Sequence, residues 1–180
     1  MVTMYAVGSV GTVDPADVGN VVFAGSVAQL KLGRVGGTEP AQADNPDVIL
    51  IPDFSATIRY EVTPDSGGAE LGALMLVLRF SPGNGRVVAT LTEVPILLFD
   101  PHDPGTVTET ALLQFDSAEF DGSAGFQTKL VGGPAGPTPD HVLDFTNNVY
   151  YIAVVLTLPE FPTGQPPAVS AIQLAPWQQF

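Results

Sequence analysis

The chain holds two histidines, and acids stand beside both. Asp100-Pro101-His102-Asp103 is one set; Asp140-His141, with Asp144 close by, is the other. If the two segments met in space, His102, Asp103, Asp140 and His141 could form a two-histidine, carboxylate set for a divalent metal. The sets are far apart in sequence, so no local geometry enforces the meeting. Asp, His and Pro also suit turns on their own account. Asp14, Asp17, Asp44, Asp47 and Asp53 fall in expected loops and offer the hard oxygens calcium prefers, but no calcium-loop pattern of the helix–loop–helix type is present. No cofactor is expected, with calcium left open.

Paired carboxylates can cleave glycosides when they face each other across a cleft. Glu61, Glu93 and Glu109 stand on expected strands, at positions read as outward and solvated. Glu119 and Asp121 flank Phe120 in a turn-like segment and read the same way. A serine nucleophile needs its elbow, and no G-x-S-x-G occurs. Gly8-Ser9-Val10-Gly11 and the glycines around Glu70 lack the lysine and the strand-to-helix setting of a phosphate loop. The expectation is a protein that is not an enzyme.

Composition narrows the partners. The net charge is -13, with six Lys and Arg against 19 Asp and Glu. Phosphate backbones and anionic membranes are met by clustered Lys and Arg, so neither nucleic acid nor a membrane surface is an expected partner. Cysteine is absent, which excludes disulfides and thiolate chemistry. The first residues, Met-Val-Thr-Met-Tyr-Ala-Val-Gly, show no basic region and no continuous apolar core, so no signal peptide and a soluble chain are expected. The densest apolar runs, Leu74 to Leu78 and Tyr150 to Leu158, are too short to span a bilayer as helices. Charged residues make up 14% of the chain, against about 25% in ordinary globular proteins. Much of the surface is therefore neutral or covered by a partner.

These residues must be carried by strands. From Phe54 to Thr63 every even position is apolar and every odd one polar, the mark of a strand with one dry face. Similar runs recur about every 8–12 residues, separated by Gly/Pro turns, and about ten strands are expected. Leu71 to Phe80 is apolar on both faces, which predicts a central strand with a covered outer side. Val149 to Leu158 puts Tyr150, Ile152, Val154, Leu156 and Leu158 on one face. Val18 to Leu32 is a hairpin broken near Gly25 or one bent strand. Asn84-Gly85 signals a tight hairpin. Two long loops, 33–45 and 132–140, suit crossovers between sheets. Phe54, Tyr60, Phe80, Phe99, Phe115, Phe126, Phe145 and Tyr150 are the expected core aromatics. The fold class is all-β: an antiparallel, jelly-roll-like sandwich in one domain, residues 1–174, with a tail at 175–180.

Asn147 to Thr157, a Pro/Gly loop, and Val169 to Leu174 together carry a resemblance. The unit is similar to the C-terminal hairpin of small bacterial and phage-associated β-sandwich proteins without assigned function. The likeness is confined to residues 147–174, and the loop here is longer than that hairpin's turn. It implies a jelly-roll-like fold and carries over no catalytic residue.

Low charge, a strand with two apolar faces, extended Pro-rich segments and aromatic ends point to one expectation. The chain is read as a structural subunit that binds copies of itself: a viral or phage coat, decoration or fibre protein, or an exterior bacterial assembly. Its place would be the virion or an extracellular assembly. Tyr5 and Val7 on the first strand, with Trp177 and Phe180 in the tail, are the expected interface residues. The other reading is a carbohydrate-binding sandwich that presents aromatics to a glycan, with or without calcium.

Overall fold

The computed structural model describes residues 4–31, 54–63, 74–96, 108–120, 125–132, 143–159 and 164–176. The described chain forms eleven strands and three tight helical turns. The strands are β1 (Met4–Val7), β2 (Thr12–Val13), β3 (Val21–Ala24), β4 (Val27–Leu30), β5 (Phe54–Val62) and β6 (Leu74–Ser81). They continue with β7 (Arg86–Pro95), β8 (Thr110–Asp116), β9 (Gln127–Gly132), β10 (Asn148–Leu158) and β11 (Ala168–Pro176). All pairings are antiparallel.

A six-stranded sheet runs β3-β4-β11-β6-β9, with β1 joined to β11 beside β4. A five-stranded sheet runs β2-β5-β10-β7-β8. From β4 onward the orders 4-11-6-9 and 5-10-7-8 are those of a jelly roll: almost every connection leaves one sheet for the other. Both long loops predicted as crossovers do join strands of opposite sheets. The expected all-β sandwich is the observed one.

Periodicity explains the core. Ala56, Ile58, Tyr60 and Val62 of β5 are buried, and so are all five even residues of β10 from Tyr150 to Leu158. They face Leu76, Leu78 and Phe80 of β6 and Val169, Ile172 and Leu174 of β11. Each strand holds its register because a one-residue slip would turn that row into water.

Several expectations are corrected. Asn84-Gly85 does not close a hairpin within one sheet: β6 and β7 lie in different sheets, and the turn arches across the sandwich. It is held there by Asn84 N donating to Gln165 O at 3.0 Å. The 147–174 unit is likewise no hairpin, and β11 is a central strand, not an edge. It runs to Pro176 because Ala175 and Pro176 still pair with Met75 and Leu74. The first strand stops at Val7, where a helical turn at Gly8–Val10 carries the chain to the other sheet. Val18 to Leu30 resolves into a helical turn and the β3–β4 hairpin, with Gly25 at φ +60, a conformation glycine adopts without steric cost. Phe126 is exposed because the β9 strand begins one residue after it. Phe145 packs on the edge of the core, ring to ring with Tyr150 at 5.0 Å. Phe99 and the Phe54 side chain lie outside the described residues.

Candidate interaction surface

Both sheets turn an outer face away from the core, and the two faces differ. On the six-stranded sheet the register aligns Val7, Ala171, Arg79 and Thr128 across β1, β11, β6 and β9. The next row holds Gln173, Val77 and Leu130. Val7, Val77, Arg79, Thr128, Ala171 and Gln173 of these rows line a trough of about 380 Å³, and Leu130 stands beside Val77. Val7 is 43% exposed and Leu130 48% exposed, and Val77 and Ala171 are half-buried between them. Arg79 is the one charged residue lining the trough, and it makes no ion pair among the described residues. The strand read as apolar on both faces, β6, supplies Val77 to the trough and Leu76 and Leu78 to the core.

Of the expected interface residues, Val7 is therefore placed at the trough. The Tyr5 backbone pairs with Gln173 in the same sheet; its side chain, like Trp177 and Phe180, lies outside the described residues. β1 does not project as an arm: it is paired along its length with β11 of its own chain.

The outer face of the five-stranded sheet is mixed: Val155 and Val88 stand in one row and Val149 and Val94 in another, with Val149 50% exposed, and polar rows lie between them. Arg59, Ala153, Thr90 and Gln114 form one row, and Glu61, Tyr151 and Thr92 another. Tyr151 Oη donates to Glu109 Oε2 at 2.8 Å, and the Arg59 guanidinium lies 5.8 Å from the Tyr151 ring centroid. Arg59 Nη1 also reaches Asp14 Oδ2 at 2.9 Å. That hydrogen bond holds the Asp14 carboxyl below the usual carboxylate range. Nearby, Arg86 grips Asp116 through both carboxylate oxygens, with the same effect on Asp116.

His102, Asp103, Asp140 and His141, and also Asp44, Asp47 and Asp53, lie outside the described residues. Asp14 and Asp17 are turned to structural work: Asp14 Oδ1 caps Ala16 N, and Asp17 Oδ2 accepts from Thr57 N at 2.8 Å. Among the described residues no three His, Asp or Glu side chains gather as a metal site. Glu61 and Glu109 are exposed, as expected. Glu93 is not: it is in phase with Val87, Ala89 and Leu91, so it turns inward at the sandwich end and accepts from Tyr150 Oη at 2.8 Å. Among the described residues no helix is long and apolar enough to cross a membrane.

No family model matches this chain, and no curated protein matches it. Among solved structures it is similar to a Podospora anserina GH26-CBM35 β-(1,4)-mannanase. That likeness has 14% identity and a TM-score of 0.37, and covers 99% of this chain and 28% of that one. It is also similar to a structure of infectious bursal disease virus, Gx strain. There the identity is 13% and the TM-score 0.24, with 82% of this chain and 42% of that one covered. The chain spans less than half the length of each, and likeness at this level carries no functional inference.

The buried phenols give a pH signature. Tyr60 Oη donates to Gly8 O at 2.6 Å, and burial raises its pKa well above the usual tyrosine value. Burial, with the hydrogen bond to Glu93 adding to it, pushes Tyr150 up to about 12. Tyrosine ionises near 10 when unfolded. The unfolded chain therefore loses its phenol protons first as the pH rises. Stability is fully present below pH 10 and is expected to fall progressively from there through about pH 12. Denaturant titrations across that range check it, and Tyr150→Phe should flatten the fall. An unchanged midpoint up to pH 12 would contradict this assignment.

Proposed function

We propose that the protein is a non-enzymatic structural subunit that assembles with copies of itself, as a viral or phage coat, decoration or fibre protein or as an exterior bacterial assembly. The observation that carries the reading is the trough on the outer face of the six-stranded sheet. Val7, Val77 and Ala171 give it apolar walls, Arg79 is its one charged lining residue, and Leu130 stands exposed beside Val77. An antiparallel sheet can leave one face in water when that face is polar. An apolar face left open is a docking surface. Jelly rolls serve capsid and lectin domains alike, so the fold permits the reading without selecting it. In this reading the trough buries against a neighbour, Tyr5, Trp177 and Phe180 add to that contact, and the assembly is virion-borne or extracellular.

Light scattering and electron microscopy of the full chain test it. Concentration-dependent particles, rings or filaments are expected. Val77→Glu places a charge on the dry face and should weaken association by about 100-fold. A strict monomer at micromolar concentration removes the reading.

A second reading rests on Tyr151. Its ring lies on the outer face of the five-stranded sheet beside Arg59 and Glu109, and aromatic and hydrogen-bonding groups together can seat a sugar ring. A glycan array with calcium present, compared between the natural chain and Tyr151→Ala, separates the two. Glycan capture lost in Tyr151→Ala would favour this module; no capture by the natural chain counts against it.

A further inference from the structure

Asn84-Gly85 is the one Asn-Gly pair in the chain. An asparagine side chain can be attacked by the backbone nitrogen of the residue that follows it. A side chain on that residue obstructs the approach, and glycine leaves it open. The pair stands in the arch that joins β6 to β7 across the sandwich, and Asn84 is exposed there.

The packing of the arch forbids any other residue after Asn84. A methyl group at position 85 would sit 2.2 Å from the Thr157 carbonyl oxygen and 3.0 Å from the Pro167 ring. Position 83 is fixed in the same way: φ is +54, and a methyl group there would lie 2.0 Å from the Gln165 carbonyl oxygen. Positive φ at Gly83 and not at Asn84 is the type II′ pattern. The Asn84 carboxamide lies against Gly164, where a methyl group would be 3.0 Å from Nδ2. The most reactive successor is thus imposed by the fold, and bulk cannot protect Asn84. Hydrogen bonds restrain the reaction instead. Gly85 N, the attacking atom, donates to Pro82 O at 2.9 Å, and Asn84 N donates to Gln165 O at 3.0 Å.

We infer that Asn84 is a self-modification site, a slow clock that ages the β6–β7 arch. When the turn opens, Gly85 N bonds to Asn84 Cγ and the Cγ–Nδ2 bond breaks. The side-chain nitrogen leaves as ammonia, taking up the Gly85 amide proton. Water then opens the succinimide at either carbonyl. Breaking the new N–Cγ bond leaves aspartate. Breaking the original peptide bond leaves isoaspartate, with the main chain rerouted through Cβ and Cγ. Both products add a negative charge to a chain already at -13. Isoaspartate also lengthens the backbone by one carbon, between the bond to Gln165 O and the close approach of Gly85 to Thr157 O. The turn has no room for that carbon, so the modified arch detaches from residues 164–167. The inference does not depend on the self-assembly reading.

Peptide mapping with isoaspartate detection tests it on the full chain, aged folded and aged in urea, beside Asn84→Gln. Aspartate and isoaspartate should accumulate at position 84, and faster as the pH rises, because base removes the Gly85 amide proton. Each of the two hydrogen bonds biases against opening roughly fivefold, so the folded chain should convert about 5–30-fold more slowly than the unfolded one. Asn84→Gln should stay unconverted, since its ring closure is one atom larger. In the aged chain the Asn84 and Gly85 amides should lose protection from hydrogen exchange, and the urea midpoint should fall. Asn84→Asp brings the charge without the extra carbon and should keep that protection. If the folded chain converts less than about one-hundredth as fast as the unfolded one, the turn does not open and the inference is overturned. Equal rates would mean that the two hydrogen bonds exert no hold, which overturns it as well. If isoaspartate forms and both amides stay protected, the arch does not age and the inference falls. Should Asn84→Gln not fold, the map of the natural chain decides alone.

Discussion

Phe115→Ala is expected to lower the free energy of unfolding by about 3–5 kcal/mol. Phe115 on β8 is fully buried, and its ring meets Phe80 of β6 edge-on at 4.8 Å. On its other side it stacks on Phe120 at 5.1 Å, with 16° between the planes. It therefore bridges the two sheets at the β8–β9 side, where Leu113 and Leu112 add to the same wall. Truncation removes the transfer term for the ring, the aromatic pairs and the filling of the space left behind. A native domain holds only about 5–15 kcal/mol in all, so much of the total goes. Urea unfolding at neutral pH measures the loss as a shift in midpoint at constant slope. Phe115→Leu should recover more than half. A loss below about 1 kcal/mol for the alanine variant would mean that the ring is not a bridge.

Gly8→Ala should be nearly as damaging, at about 3 kcal/mol, and for the opposite reason. A methyl group at position 8 would sit 2.0 Å from the Val169 carbonyl oxygen and 3.0 Å from Ala28 N, both backbone atoms that cannot step aside. The Tyr60 hydroxyl holds the Gly8 carbonyl from the other side. Relief would require β1 to lift from β11, and Val7 would then leave the trough. The variant should therefore lose both stability and association. Tyr60→Phe deletes only the hydrogen bond, so it should cost about 1–2 kcal/mol and leave association in place. Thermal melts with sizing of the folded fraction tell these apart. A Gly8→Ala chain with natural stability and natural association would show that β1 is not clamped as described.

The trough was half legible from the chain. Leu74 to Leu78 showed apolar residues on both sides, which announced an outer face unlike a solvated one. That Val7 and Thr128 would join it came from the register of β1 and β9 with β11 and β6, strands far away in sequence. Glu93 was misread because polarity alone was taken as a sign of exposure; its phase with Leu91 and the Tyr150 hydroxyl turn it inward.

What the amino-acid order determined by itself was the two-residue period, and with it the all-β class, the buried rows of β5 and β10, and the loops that change sheets. Alternation is local, because each side chain simply follows its own backbone pleat. Tertiary structure alone decided which sheet each strand enters. The period is the same in both sheets, so Asn84-Gly85 reads as a hairpin turn although it bridges the sandwich. It also decided which distant residues line the trough on the outer face of the six-stranded sheet. Those depend on which distant strands become neighbours, and no spacing along the chain encodes that.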